Sequence, residues 1–200
     1  RTLKRLDVSA RTLVALIEPG SCFAGTLAEL ALAADRSFML AGEWSADEPA
    51  ASEHEHGPAT LVLTSANDGW YPMPNGLTRL ASRFWGRTTE LDTVRSLFGK
   101  ELAAEDAAEA GLVTFTPDDI DWDDEVRLTL EERNSFSPDA LTGMEANYRF
   151  VGPETMESKI FARLTAWQNW IFQRPNAVGE DGALRRFGTG SRPTYDRRRV

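Results

Sequence analysis

Length, composition and charge place the chain among ordinary globular proteins: it has 200 residues, 42% of them hydrophobic and 26% charged, enough for one sizeable core. The formal net charge of −9 argues against general nucleic-acid binding, because proteins of that class carry a basic surface. With a single cysteine, no signal-peptide pattern and no apolar run of membrane-spanning length, we expect a cytoplasmic protein without a disulfide framework or a membrane span.

The first part of the chain alternates between strand and helix patterns. A buried strand is predicted over 12–18, because this run is rich in Val, Leu and Ile and ends at Pro19-Gly20. The next predicted elements are a helix over 25–34 and strands over 36–41 and 60–64. The sequence Asn67-Asp68-Gly69 is typical of a turn.

A second group of elements is predicted before residue 116. Asn75 is an expected N-cap for a helix over 75–85, and another helix covers 90–98. An Ala-rich helix closes at Gly111, a C-cap position, and a strand over 112–115 follows it.

The remaining sequence has mainly helical patterns, with Ser137 as an expected N-cap. The clearest helix covers 154–172, where an apolar stripe has spacings of 4, 4, 3 and 4 residues: Met156, Ile160, Leu164, Trp167 and Ile171. This helix has more apolar surface than one set of neighbours covers. We therefore expect part of it to face another domain or another subunit of a homo-oligomer.

Together these patterns predict an α/β fold. Residues 1–116 form its α/β core, and residues 117–200 form a helical C-terminal region. The last sixteen residues, 185–200, carry six arginines and one acid, against the charge of the rest of the chain. This tail is expected to be solvated or to dock on an acidic surface, with phosphate binding as the alternative.

Glu29 is the first candidate for a functional residue, because it is the one carboxylate in a helix that is apolar almost all round. If both faces of this helix are covered, Glu29 is buried and its pKa rises, as in a glutamate prepared for acid–base work. We expect Glu29 to be mostly buried. Two alternatives to an acid–base role stay open: Glu29 lies on the surface, or it is buried and paired with an arginine such as Arg36.

The small residues from Gly20 to Gly25, which precede the helix, are the second candidate. With few side chains in the way, an anion or a polarised carbonyl can approach the free backbone amides at the start of the helix. A tight turn with close packing of the strand and the helix explains the same residues. His54 and His56 have the spacing of a metal pair, but they lie in an acidic loop and no third ligand is near in sequence. We therefore expect no metal.

These residues resemble the signature of the crotonase (enoyl-CoA hydratase/isomerase) superfamily. The matching positions are Gly20, Gly25, Glu29, Leu30, Ala31 and Asp35, and the later stretch 104–113 is similar to the helix before that superfamily's last strand. The resemblance implies that residues 1–116 are part of a crotonase-like (ClpP/crotonase) spiral core. It also implies oxyanion donors at Gly25 and Thr26, an acid–base residue at Glu29 and a second acid at Asp68.

Longer stretches resemble the C-terminal part of a family of crotonase-type lyases from the aerobic, coenzyme A-dependent breakdown of benzoate. The stretches that carry this resemblance are 17–36, 71–84, 118–125, 137–150 and 164–180. It implies an enzyme that opens the ring of an epoxide or dihydrodiol of benzoyl-CoA and releases formate and 3,4-dehydroadipyl-CoA semialdehyde. Coenzyme A is then part of the substrate, and no separate cofactor is expected.

The family's chains are longer and contain two crotonase-like regions. We therefore expect this chain to work together with an N-terminal region of the same protein and to be inactive alone. The alternative is that these residues form a degenerate, non-catalytic half that serves structure and dimerisation.

Overall fold

The computed structural model describes residues 1–44 and 57–198. They form two compact units, the first made of Arg1–Val8 and Leu13–Thr129 and the second of Ser9–Thr12 and the residues from Leu130 onwards. This boundary lies inside a helix, later in the chain than the division predicted at residues 116–117. The two histidines with metal-pair spacing lie outside the described residues.

The first unit begins with a parallel β–α–β arrangement. After the short helix α1, Lys4–Asp7, the chain forms β1, Val14–Ile17, then α2, Ala28–Ala33, and β2, Arg36–Met39. The two strands are paired from Val14 with Arg36 to Ile17 with Met39. A helix is the usual connection between neighbouring parallel strands, so the predicted strand–helix–strand order is confirmed.

The rest of the first unit contains a small antiparallel pair and short helices. In chain order the elements are β3, Leu61–Val62; a 3₁₀ turn, Ser65–Asp68; α3, Arg79–Arg83; α4, Thr88–Ser96; β4, Glu101–Leu102; and α5, Ala104–Glu109. β3 pairs antiparallel with β4, and Val62 also forms a parallel bridge with Ala24. This bridge holds the segment before α2 against β3. Apolar side chains such as Ile17, Phe38, Leu61 and Leu80 fill the core beneath these elements.

Two predicted details of this unit are wrong. The segment 112–115, predicted as a strand, forms a single β-bridge, from Phe115 to Phe38. The Ser37 amide donates to the Thr114 hydroxyl, which takes the place of the backbone carbonyl that a regular strand would offer. The N-cap of α3 is Thr78, whose hydroxyl accepts from the Ala81 amide, whereas the side chain of Asn75 closes a turn on the amide of Leu77.

The second unit is helical in its described part. The helices, the first of which begins in the first unit, are α6, Trp122–Ser135; α7, Pro138–Tyr148; α8, Met156–Ser158; a π-helical segment, Lys159–Leu164; α9, Thr165–Ile171; α10, Pro175–Val178; and α11, Ala183–Arg186. Ser137 caps α7 as predicted. Among the described residues, no helix combines the length and apolarity that a bilayer crossing requires.

A buried acid ties residues 9–12 to this unit. Glu145 on α7 accepts from the Thr12 hydroxyl at 2.7 Å, from Arg133 at 2.6 Å and from Arg149 at 3.3 Å. Arg149 also donates to the carbonyl groups of Ser9 and Arg11. Two guanidinium groups and one hydroxyl therefore converge on a single carboxylate.

The predicted helix over 154–172 exists, but a π-helical segment interrupts it. The Thr165 hydroxyl donates to the Ile160 carbonyl, five residues earlier, and so satisfies one of the groups displaced by the wider turn. Part of the expected apolar stripe is exposed. Met156 and Phe161 are 73% and 74% exposed, and Leu164 is exposed too.

This exposure predicts that Phe161 serves association and not the folding of the unit. We expect Phe161→Ser to change the free energy of unfolding by no more than about 0.5 kcal/mol, because the side chain is already in water. In sedimentation at rising protein concentration, the wild type is expected to associate and Phe161→Ser to do so more weakly.

Phe187→Ser is the matched control, because Phe187 is 86% exposed and lies outside this helix. A wild-type protein that remains a monodisperse monomer at high concentration would contradict a subunit contact. Equal weakening by both substitutions would show a general effect of surface apolarity instead.

Candidate functional site

Glu29 is fully buried in the first unit, with 0% of its surface exposed. One carboxylate oxygen, Oε1, accepts from Asn67 Nδ2 at 2.7 Å, and the other, Oε2, accepts from Arg79 Nη1 at 2.5 Å. The predicted burial is confirmed, and the arginine partner is Arg79 and not Arg36. Both oxygens of the carboxylate are thus engaged by the protein.

Arg79, the first residue of α3, links Glu29 to the start of the chain. Its Nε and Nη2 donate to the two carboxylate oxygens of Asp7 at 3.1 and 2.8 Å, and Nη2 also donates to the Leu3 carbonyl at 3.0 Å. Arg79 and Asp7 are 3% and 5% exposed. Each of the three guanidinium nitrogens therefore donates to a buried acid or to a carbonyl group.

Asn67 completes the arrangement from the 3₁₀ turn. Its side-chain oxygen accepts from the Thr64 amide at 2.9 Å, which fixes the orientation of the amide group. Its Nδ2 then donates to the Gly25 carbonyl at 2.8 Å as well as to Glu29. Asp7, Glu29, Asn67 and Arg79 together are called the Glu29 cluster below.

The charges of the Glu29 cluster do not balance when both acids are ionised, because two carboxylates share one guanidinium group. Burial raises the pKa of Glu29 above its ordinary value of 4.5, and the negative charge of Asp7 adds to this rise. Hydrogen bonds from Asn67 and Arg79, together with the charge of Arg79, oppose it. The net direction of the pKa shift is upward, so burial outweighs the stabilisation of the charged form by Asn67 and Arg79.

Helix α2 buries one face only. Ala28, Glu29, Ala31 and Leu32 are buried, whereas Leu27 and Leu30 are 44% and 40% exposed. In the described structure, therefore, the two faces of α2 are not both covered, although such coverage was one possible reason for the burial of Glu29. The burial arises instead because the face with Glu29 lies against Asn67 and Arg79.

The segment before α2 leaves less free backbone than the sequence suggests. Gly25 has a φ of +50°, a conformation that favours glycine, and its amide donates to the Val62 carbonyl at 2.9 Å. This amide is thus occupied in the described structure. The Thr26 hydroxyl is 2.7 Å from the Tyr71 hydroxyl, and both side chains are at least partly exposed.

Asp68, the predicted second acid, pairs with an arginine of α4. Its two carboxylate oxygens accept from Arg95 at 2.9 and 3.1 Å, and Arg95 also donates to Asp92. Glu29 instead contacts the preceding residue, Asn67. The structure therefore brings Glu29 and Gly25 together around Asn67, and it engages Asp68 in a separate, solvent-accessible ion pair.

Sequence reasoning missed Asn67, Arg79 and Asp7 as members of the site. Asn67 was part of a recognised turn sequence, and turn chemistry alone does not show where the side chain points. Arg79 had a weak signal, because it is a charged residue between Leu77 and Leu80 at the start of an apolar helix. Among the described residues, no group of acids, histidines and cysteines has the arrangement of a metal site.

Comparisons with known proteins extend these observations. No family model matches the chain. Over all 200 residues the chain is 54% identical to benzoyl-CoA-dihydrodiol lyase from Aromatoleum evansii, and it covers 34% of that protein. The chain thus spans about a third of the length of this relative, and the resemblance noted in the sequence is confirmed.

Solved structures agree on the fold. An enoyl-CoA hydratase/isomerase from Mycobacterium paratuberculosis matches 96% of the chain and 64% of its own length, with a TM-score of 0.65 and 14% identity. An enoyl-CoA hydratase/isomerase from Cupriavidus metallidurans CH34 matches 100% of the chain and 68% of its own length, with a TM-score of 0.63 and 21% identity. The chain therefore has the crotonase-like α/β fold of these enzymes and is similar, from end to end, to a part of benzoyl-CoA-dihydrodiol lyase.

Proposed function

We propose that the chain is a portion of a lyase that opens the ring of an oxygenated benzoyl-CoA. The observation that carries this proposal is the 54% identity over the whole chain to a benzoyl-CoA-dihydrodiol lyase. The reaction consumes water and releases formate and 3,4-dehydroadipyl-CoA semialdehyde. Coenzyme A enters as part of the substrate, and no further cofactor is required.

Within this lyase, we assign a structural role to the Glu29 cluster. Both carboxylate oxygens of Glu29 are held by protein donors, and the side chain is fully buried. A general acid or base must come within hydrogen-bond distance of the atom whose proton it moves. In the described arrangement, Arg79 and Asn67 already occupy those positions. The cluster therefore joins α1, α2, α3 and the 3₁₀ turn.

A catalytic role for Glu29 is the second candidate, and the raised pKa favours it. A carboxyl group that keeps its proton near neutral pH is suited to general acid catalysis. In this case the exposed Thr26, on the segment before α2, would offer its amide to the thioester oxygen. Asp68 would serve as the second acid after release from Arg95.

The proposed function predicts formate release from the epoxide or dihydrodiol of benzoyl-CoA by a longer protein that contains this chain. The 200-residue chain alone is expected to release none. The amide of Gly25, one of the two expected oxyanion donors, is already bonded to the Val62 carbonyl. Formate is measured enzymatically under single- and multiple-turnover conditions. A longer protein without ring-opening activity would overturn the proposal, and formate from the isolated chain would contradict its expected inactivity.

Glu29→Gln in the longer protein separates the two roles. With a structural role we expect the turnover number, corrected for the folded fraction, to stay within about tenfold of the wild type. A catalytic role requires a fall of about 10²–10⁴-fold at unchanged stability. Asp124→Asn is the matched control, because it also converts an acid to its amide but lies in an exposed pair with Arg127, away from the proposed site.

Arg79→Met tests how far the fold depends on the buried cation. We expect the free energy of unfolding to fall by about 3–5 kcal/mol, because two buried carboxylates lose their shared partner. Urea denaturation followed by tryptophan fluorescence measures this loss. Arg95→Met provides the comparison, since its ion pairs are exposed and its loss should be much smaller. Equal losses for the two variants would contradict the structural role.

The raised pKa of Glu29 predicts a pH dependence of stability. The folded protein keeps the Glu29 proton over a pH interval in which the unfolded chain has lost it. This contribution to stability is thus complete below about 4.5 and is lost as the pH rises through the folded-state pKa. Glu29→Gln cannot titrate at this position. The stability of the wild type minus that of Glu29→Gln should therefore decrease with pH in urea titrations, and a constant or increasing difference would contradict the prediction.

A further inference from the structure

The second unit contains a cavity that neither the fold nor the proposed reaction explains. It has a volume of about 160 Å³ and is lined by Arg133, Asn134, Phe136, Pro138, Leu141 and Arg197. One water molecule takes about 30 Å³ in the liquid, so the cavity has room for a polyatomic anion. It lies where the end of α6 and the start of α7 meet the C-terminal tail.

Two guanidinium groups and no carboxylate line this cavity. The first, Arg133, donates through Nη2 to Glu145, but Glu145 is shared with Arg149. One negative charge therefore faces two positive ones. The Nε of Arg133 is also buried without a hydrogen-bond partner among the described residues. The Arg133 side of the cavity thus has a buried cationic donor without an acceptor among the described residues.

The second guanidinium group, that of Arg197, is held by neutral oxygens. Its Nη1 donates to the backbone carbonyl and the side-chain oxygen of Asn134, and none of its bonds in the described structure goes to an acid. The next residue behaves differently, because Arg198 donates to the carboxylate of Asp196. Arg197 is therefore positioned at the cavity while its charge remains uncompensated.

We propose that this cavity binds a phosphate group, with Arg133 and Arg197 as its cationic walls. Guanidinium groups match the geometry of phosphate oxygens and bind them through pairs of N–H donors. The net charge of −9 makes this a local feature and not part of a generally basic protein. The half-exposed ring of Phe136 adds a flat apolar wall on which the base of a nucleotide can stack. The site lies in the second unit and does not depend on the proposed function.

Calorimetric titration of the full chain tests the proposal, with inorganic phosphate and adenosine 5′-monophosphate as probes. We expect saturable 1:1 binding and an affinity about tenfold lower for Arg197→Gln, because a hydrogen bond to a charged group is lost. Arg197→Lys keeps the positive charge but loses the paired N–H donors of the guanidinium group, so its affinity should lie between those of the wild type and Arg197→Gln. Arg198→Gln is the matched control and should bind like the wild type. Arg197 is exposed, so circular dichroism should show both Arg197 variants folded.

The probes also identify the source of the phosphate. Equal affinities for the two probes indicate free phosphate, and tighter binding of the nucleotide indicates a base on Phe136. Uncharged adenosine should not bind measurably. The proposal is overturned if neither probe saturates, if adenosine binds as tightly as its monophosphate, or if Arg198→Gln weakens binding as much as Arg197→Gln.

Discussion

The first unit depends on a single buried cation. Arg79 is 3% exposed and holds Asp7, Glu29 and the Leu3 carbonyl with its three nitrogens. Placing a guanidinium group in a protein interior costs several kcal/mol unless its hydrogen bonds are satisfied there. The positions of α1 and α2 are therefore constrained by the need of Arg79 for acceptors. Asn67 extends the same constraint to the 3₁₀ turn and to the segment before α2.

The second unit uses the same chemistry with the charges reversed. In the first unit one cation serves two acids, whereas in the second one acid, Glu145, serves two cations, Arg133 and Arg149. Each cluster also attaches a short N-terminal segment, residues 3–7 in one case and 9–12 in the other. In both units a buried ion-pair cluster therefore connects an N-terminal segment to residues far away in sequence.

Local sequence patterns predicted the strands and helices whose formation depends on neighbouring residues. The β1–α2–β2 order followed from apolar runs and a Pro-Gly boundary. Glu29 is buried as expected, although through its polar partners and not through coverage of both faces of α2. The partners of Glu29 could not be predicted, because Asn67 and Arg79 lie 38 and 50 positions away in sequence and nothing local distinguishes them from surface residues. The π-helical segment was missed for a related reason, since a single added residue per turn leaves no periodic signal in the sequence.

The ion pairs of Arg79 also bear on the order of folding. They join residues separated by 72 positions in the case of Asp7 and by 50 in the case of Glu29, so each closes a long loop of chain. The parallel β1–α2–β2 unit, by contrast, pairs strands that follow one another more closely in sequence. Contacts of low sequence separation form first and long loops close later. We therefore expect the N-terminal helix to join the fold after the β1–α2–β2 unit, and the guanidinium group of Arg79 to lose its water at that step.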